Sequence, residues 1–187
     1  MTGFRPVLAA LASALLVSAC GPGAAPSERS DTITPAPAFP VVLAVTGGGG
    51  RDAVEGGLFE RFDIAGNAHT FTFADIALLP YHEITAGYPQ GEAARTWRGV
   101  RLSDVLSAAG GDGGGARITC LDGYTVEVEA GMIAAHEPIL AHSVDGRALT
   151  LGELGPFLLV WPRDTAPDLS GMNDDLWAWG VFAMEAM

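Results

Sequence analysis

The chain has 187 residues, of which 49% are hydrophobic and 17% are charged, which is enough for one folded domain with a substantial core. Its formal net charge is −12, and all ten of its basic residues are arginines. A surface of this sign repels phosphate backbones and anionic lipid head groups, which argues against nucleic acid and anionic membrane surfaces as partners.

The first twenty residues have the order of a bacterial export signal. Arg5 gives a basic start, an apolar run extends from 7 to 17, and small residues precede Cys20. The run is too short for a permanent transmembrane helix. The Val-Ser-Ala-Cys sequence at 17–20 resembles the lipobox of bacterial lipoproteins, which are cleaved before the cysteine and acylated on it. We expect residues 1–19 to be a signal peptide and Cys20 to carry lipid; a plain secretory signal with an incidental cysteine is the alternative.

Cleavage at this point leaves 168 residues, with 22 acidic side chains against nine arginines, a net charge of −13. With Cys20 lipidated, Cys120 is the one remaining thiol, so no intramolecular disulfide forms. Residues 20–38 are rich in proline, alanine and glycine and are predicted to be a flexible tether of about 20–25 Å. The folded domain is expected over 39–187. The predicted location is the bacterial cell envelope, lipid-anchored and facing the periplasm, with an envelope protein or a small molecule as a further partner.

The first half of the domain is predicted to contain strands and turns. Val41–Val45 is a continuous apolar run, which is typical of a strand buried on both faces. Gly47–Gly50 predicts a turn, because the Lys-Ser/Thr ending of a phosphate loop is missing. Phe59–Ile64 and His69–Phe73 alternate apolar and polar residues around Gly66-Asn67, which predicts a hairpin.

Two short helices are predicted next. Ala74–Leu79 favours a helix that Pro80 ends. Residues 102–109 place apolar side chains at i, i+3, i+4 and i+7, the pattern of one helix face. Gly110 stands where a left-handed cap would end that helix.

The second half is predicted to be mainly strands. Arg117–Leu121 and Tyr124–Glu129 flank Asp122-Gly123, the clearest hairpin pattern in the chain. Phe157–Trp161 is a fully apolar strand, and Leu176–Met184 is interpreted as a closing strand. Many strands with few short helices predict an α+β, mainly β fold.

Three groups of residues carry a family resemblance. They are Leu79-Pro80 with Thr85 and Trp97–Leu106, then Asp122–Val128, then Asp145-Gly146 with Leu149, Gly155–Phe157 and Trp161-Pro162. In this order and spacing they resemble the oxidoreductase molybdopterin-binding domain, the central fold of the sulfite oxidase family. The resemblance runs from about Val41 to the C terminus, and it implies a single compact domain with a mixed sheet.

The resemblance also implies a molybdopterin cofactor, whose metal a cysteine ligates shortly before the Trp-x-Gly-Val segment. This chain has no cysteine between Leu79 and Trp97, and the ligand position falls near Thr85 or Ala86, neither of which supplies a thiolate. Cys120 lies later, on a predicted strand. The family's pterin phosphate is held by clustered basic groups, whereas the arginines here are scattered. We therefore expect no catalytic residue, no metal ligand and no cofactor, although the family itself consists of oxidoreductases.

Five residues are candidates for a cofactor or ligand pocket by this resemblance: Thr85, Trp97, Arg98, Asp122 and Tyr124. The Trp97 ring would stack on a ligand, and the Arg98 guanidinium would form a bidentate hydrogen-bonded contact with an anion. In the alternative interpretation Trp97 packs in the core and Arg98 lies on the surface. Asp122 is then an ordinary turn residue, and Tyr124 begins an apolar strand face.

Other reactive side chains are given structural interpretations. Cys120 is interpreted as a small buried filler of a strand, with a reactive or metal-bound thiol as the alternative. The four histidines lack the spacing of a zinc site, although His82 lies in the segment where the family places its metal ligand. Four acidic residues lack calcium-loop spacing and are predicted to form a solvated loop: Asp164, Asp168, Asp174 and Asp175.

These observations favour a non-catalytic binding or accessory module with a molybdopterin-binding-like domain. The alternative is a molybdopterin-dependent oxidoreductase that lacks the cysteine ligand to the metal. A third hypothesis is a structural envelope protein whose own side chains fill the pocket.

Overall fold

The computed structural model describes residues 41–54, 56–64, 66–88 and 91–187. The predicted signal peptide, Cys20 and the tether lie outside these residues. The strands are β1 (Leu43–Thr46), β2 (Asp52–Ala53), β3 (Asn67–Phe71), β4 (Tyr81–Ala86), β5 (Arg95–Arg101), β6 (Ala116–Cys120), β7 (Thr125–Val128), β8 (Ile139–Val144), β9 (Arg147–Ala148), β10 (Leu158–Val160) and β11 (Val181–Ala186). The helices are α1 (Gly57–Arg61), α2 (Phe73–Ile76), α3 (Leu102–Ala108) and α4 (Ala130–His136), with 3-10 turns at Pro167–Leu169 and Asp174–Leu176.

Two sheets organise these elements. The six-stranded sheet has the order β2-β3-β1-β11-β6-β7; its β1–β11 pair is parallel and its other pairs are antiparallel. The five-stranded sheet has the order β10-β8-β5-β4, with β9 pairing to β8, and is antiparallel throughout. The prediction of an α+β, mainly β fold with a mixed sheet is confirmed.

The central strand β1 is confirmed where the apolar run predicted it. Leu43, Ala44 and Val45 are fully buried, because β1 lies between β3 and β11 and is covered on both faces. The following glycine turn is also confirmed. A Cβ atom on Gly47, whose φ is 78°, would lie only 2.2 Å from the Ala186 carbonyl oxygen, so this turn requires glycine.

The two predicted helices are confirmed with small shifts in their bounds. α2 begins at Phe73 after a capping box in which the Thr72 hydroxyl and the Asp75 carboxylate bind each other's backbone N–H. In α3 the apolar stripe is buried, and Gly110 follows with a φ of 82°. α3 therefore packs and ends as its sequence pattern indicates, whereas α2 ends at Ile76, before the Pro80 that was predicted to end it.

The hairpin about Asp122-Gly123 is confirmed as β6 and β7, with an Asp122 carboxylate oxygen accepting from the Tyr124 backbone N–H at 2.9 Å. The strand predicted at Phe157–Trp161 is confirmed as β10. The closing strand is confirmed only in its second half. β11 begins at Val181, whereas residues 174–176 form a 3-10 turn.

The predicted hairpin of Phe59–Ile64 with His69–Phe73 is wrong in its first strand, where the chain forms α1. β3 pairs instead with β2. Phe59 and Phe62, three residues apart, both contact the Phe182 ring, with centroid distances of 6.0 and 5.6 Å. A helix places residues three apart on one side, so this shared contact favours the helix over the strand.

The core joins both sheets through aromatic side chains. Trp97, Trp161, Trp177 and Phe157 are the largest of the fully buried side chains. In the part of the chain described here, no helix combines the length and the apolar character that a membrane span needs.

Candidate functional site

The structure places Thr85, Trp97 and Arg98 on neighbouring strands but not in one pocket. Thr85 is exposed on β4. Trp97 on β5 is buried, and its indole N–H donates to the Ala86 carbonyl at 2.9 Å. Arg98 is exposed, and its guanidinium lies 4.8 Å from the Tyr81 ring centroid. Because successive side chains of a strand point to opposite faces, Trp97 and Arg98 cannot line the same surface.

Asp122 and Tyr124 belong to the other sheet. Asp122 stabilises its own turn, and the Tyr124 hydroxyl donates to the Asp175 carbonyl at 3.0 Å. Asp175 belongs to the 3-10 turn that precedes Trp177. The five candidates therefore lie in three places, and only Trp97 and Tyr124 approach the same internal feature.

That feature is a set of side chains that we call the aromatic–arginine cluster: Tyr88, Trp97, Arg163 and Trp177. The Tyr88 and Trp177 rings stack with their centroids 5.2 Å apart, and each meets Trp97 edge-on at about 6.5 Å. The guanidinium of Arg163 lies 5.0 Å from the Trp177 ring centroid. The cluster lies beside the end of β4, where the resemblance implies the metal ligand at Thr85 or Ala86, and beside the loop that follows.

Arg163 ties this loop to the segment after β10. It is 6% exposed, pairs with an Asp174 carboxylate oxygen, and donates to the Gly87 carbonyl at 2.8 Å. The Gly87 N–H in turn donates to an Asp164 carboxylate oxygen at 3.1 Å. A buried charge needs such partners to offset its desolvation. Asp164, Asp168 and Asp175 are exposed and Asp174 is partly exposed, in agreement with the predicted solvated loop. Asp164 and Asp174 also bind the cluster, which the sequence did not predict.

Sequence reasoning missed Arg163 and the role of Trp177. Arg163 directly follows the Trp161-Pro162 pair that carries part of the resemblance, but nothing local indicates its burial. Its partner Gly87 is 76 residues away in the chain. Only the folded structure brings the two together.

The cluster contains two further polar groups, the Tyr88 phenol and the Trp177 indole N–H. Burial, together with the negative charge of Asp174, raises the pKa of Tyr88 above its usual value, so its phenol stays protonated at neutral pH. The indole N–H of Trp177 is buried and has no hydrogen-bond partner among the described residues. The cluster therefore retains one donor for a small acceptor such as water.

Cys120 is buried in β6, as predicted, and is a free thiol. Burial, and to a lesser degree Asp122, raises its pKa to about 12, so a thiolate is disfavoured at neutral pH. His82 on β4 lies 3.9 Å from an Asp104 carboxylate oxygen. Within the described ranges, no three or more His, Cys, Asp and Glu side chains form a group that could hold a metal ion.

The side chains at the implied ligand position do not fit a molybdenum–pterin group. Thr85 offers a hydroxyl on the exposed side of β4, and Ala86 offers no donor. The family that the motifs resemble holds molybdenum through a thiolate, whereas Cys120 lies in β6, on the other sheet from this position. Arg163, the buried guanidinium beside the loop, already binds Asp174 and Gly87.

A concave feature, which we call the apolar groove, shares no residue with this cluster and has a volume of about 640 Å³. It is lined by residues of β1, α1, α2 and β11, by residues just before β1 and just after β6, and by the segment between β9 and β10. The lining residues are Val41, Val42, Leu43, Gly56, Gly57, Leu58, Phe59, Phe73, Leu121, Leu149, Leu151, Pro156 and Phe182.

Comparison of the sequence with models of protein families and with curated proteins finds no match in either. The family resemblance therefore rests on the ordered motifs quoted above.

Proposed function

We propose that this chain is a lipid-anchored protein of the bacterial cell envelope, facing the periplasm. Its folded domain acts as a non-catalytic binding or accessory module of the sulfite-oxidase type. The leader sequence supports the anchoring, and the ordered motifs support the family. The mixed sheet and the few short helices agree with such a domain.

One observation carries the non-catalytic part of the proposal. The loop after β4 begins directly after Thr85 and Ala86, the implied ligand position, and Gly87 in this loop is hydrogen-bonded to Arg163 and Asp164. The space beside it is packed by the rings of Tyr88, Trp97 and Trp177. The chain thus uses this region for internal packing, and the residues there offer neither a thiolate nor an unpaired buried guanidinium.

The experiment is a cofactor assay on the full chain, expressed in a host that makes molybdopterin. Molybdenum is measured by elemental analysis, and pterin by its fluorescence after oxidation. A molybdenum enzyme with a ligating cysteine, made in the same host, serves as the positive control. We expect neither metal nor pterin above the blank in this chain.

Variants with a cysteine at the implied ligand position make the assay more specific. Thr85→Cys and Ala86→Cys place a cysteine at the two implied ligand positions. We expect both to remain free of molybdenum, because Thr85 lies on the exposed side of β4 and the cluster occupies the space beside Ala86. About one molybdenum per chain in the unmodified protein would overturn the proposal and favour a molybdopterin-dependent oxidoreductase. Thr85, His82 and Cys120 would then be tested as ligands by substitution.

A further inference from the structure

We propose that the apolar groove binds the acyl chain of a membrane lipid. This inference deepens the proposed function and rests on its lipid anchoring, because the anchoring membrane is the source of the acyl chain. It does not depend on the absence of a cofactor, since the groove and the aromatic–arginine cluster share no residue.

Two residues that line the groove, Leu43 and Phe182, lie in central strands of the six-stranded sheet. Leu43 in β1 is fully buried, and Phe182 in β11 is 5% exposed and packs against Phe59. Both strands lie in the middle of the six-stranded sheet and are paired on each side. This part of the groove is therefore preformed, as is usual for sites that take small apolar molecules.

The rim of the groove exposes large apolar side chains. Val41 and Leu58 are each 39% exposed, Phe73 is 49% exposed and Leu151 is 71% exposed. They come from four separate segments of the chain, yet they surround one concavity. A concentration of exposed apolar groups of this kind marks a binding surface, because leaving it in water is unfavourable.

The lining determines the class of ligand. Among the described lining residues, none has a nitrogen or oxygen atom in its side chain. A ligand with polar groups along its length would lose its hydrogen bonds to water and gain none from these side chains. An acyl chain has no such groups, and the volume of the groove falls in the range of small-molecule sites, about 300–1,000 Å³.

The charge of the chain limits the head group. The formal net charge is −12, and a surface of this sign repels anionic groups. The ligand is therefore the acyl chain of a lipid with a neutral or zwitterionic head group that stays in water.

The experiment crosslinks the occupant in living cells that express the full chain. Leu151 is replaced by the photo-crosslinking amino acid p-benzoylphenylalanine, and adducts are identified by mass spectrometry after illumination. A second probe at Leu78, which is 84% exposed and does not line the groove, measures background contact with the membrane. We expect lipid adducts at Leu151 and about tenfold fewer at Leu78.

Matched charge substitutions show whether the adducts depend on the groove. In the chain with the probe at Leu151, Phe73→Asp and Leu58→Asp each place a carboxylate on the rim and should reduce lipid adducts about tenfold. Leu78→Asp adds the same charge elsewhere and should leave them unchanged. Leu58→Asp keeps the test valid where Phe73→Asp disturbs folding, because α1 contains no buried residue.

Four results would overturn the inference: adducts with a second copy of the chain, adducts with residues before Val41 of the same chain, equal lipid adducts at the two probe positions, or no adduct at Leu151. The membrane and soluble fractions of the same cells report anchoring separately. A chain that is membrane-bound but gives no lipid adduct at Leu151 would refute lipid binding in the groove. The proposed function would not be affected by that result. A chain found only in the soluble fraction refutes the anchoring itself.

Discussion

At the scale of single residues, Arg163 makes its hydrogen bonds and its aromatic contact inside the fold and not at an open site. The side chain is almost fully buried in the aromatic–arginine cluster, and its hydrogen bonds go to Asp174 and to the Gly87 carbonyl. An arginine available to a phosphate would need unpaired donors facing an open site. Here the guanidinium instead connects two distant loops.

Removal of this guanidinium should therefore destabilise the fold. Arg163→Met keeps much of the apolar stem but leaves the Gly87 carbonyl and Asp174 without their cationic partner. We expect the free energy of unfolding to fall by about 2–4 kcal/mol, measured by urea denaturation. The control is Arg95→Met, which removes the exposed ion pair with Asp145 at 2.8 Å and should change stability much less. Equal losses in the two variants would contradict a special role for Arg163.

At the scale of elements, β5 shows how tightly the five-stranded sheet is built. It pairs with β4 on one side and with β8 on the other, and its register to β8 shifts between Arg98 and Gly99. A Cβ atom on Gly99 would lie 2.0 Å from the Leu140 carbonyl oxygen and 2.5 Å from its carbon. This close approach of two backbones requires glycine.

Gly99→Ala should consequently lower the free energy of unfolding by at least about 2 kcal/mol, because the rigid backbone of β8 must move. Gly131→Ala is the matched control, since it adds the same methyl group in α4 with no atom within 4 Å. That change should raise stability by about 0.5–1 kcal/mol through the higher helix propensity of alanine. Urea midpoints that move in the same direction in both variants would refute the assigned contact.

The elements also show which structural features the sequence determines locally. The spacing of four apolar residues predicted α3, and Asp122-Gly123 predicted the β6–β7 hairpin, because each signal acts within a few residues. The alternation at Phe59–Ile64 suggested a strand, yet the segment forms α1. Six residues fit both periods, and the deciding contact is with Phe182, more than a hundred residues later. Tertiary packing overrides such short patterns.

The candidate site was predictable only in part for the same reason. Trp97 and the loop near Thr85 were identified from their order in the motif, and Trp97 does lie beside that loop. The packing of this loop against Arg163 and Trp177 depends on contacts between residues far apart in the chain. The apolar groove was not identified either, because its rim residues come from four separate segments.

At the scale of the whole molecule, the cluster and the groove differ in kind. The aromatic–arginine cluster is packed by its own side chains and held by the Arg163–Asp174 ion pair and hydrogen bonds to Gly87. The apolar groove is open and has no polar side chain among its described lining residues. A binding module with this arrangement would receive an apolar ligand at the groove and use the aromatic–arginine cluster for stability. The membrane that carries the anchor would supply such a ligand.

Anchoring of the whole chain is the condition on which this arrangement depends, and the two cysteines allow a matched test of it. Cells expressing the full chain are grown with an alkyne-tagged fatty acid, and labelled protein is detected by click chemistry. Cys20→Ser should abolish labelling, because the thiol that receives the acyl group is gone. Cys120→Ala should retain full labelling, because that thiol is buried in β6 with its pKa raised to about 12. Labelling that persists in Cys20→Ser, or that is absent from the unmodified chain, would refute lipidation at Cys20.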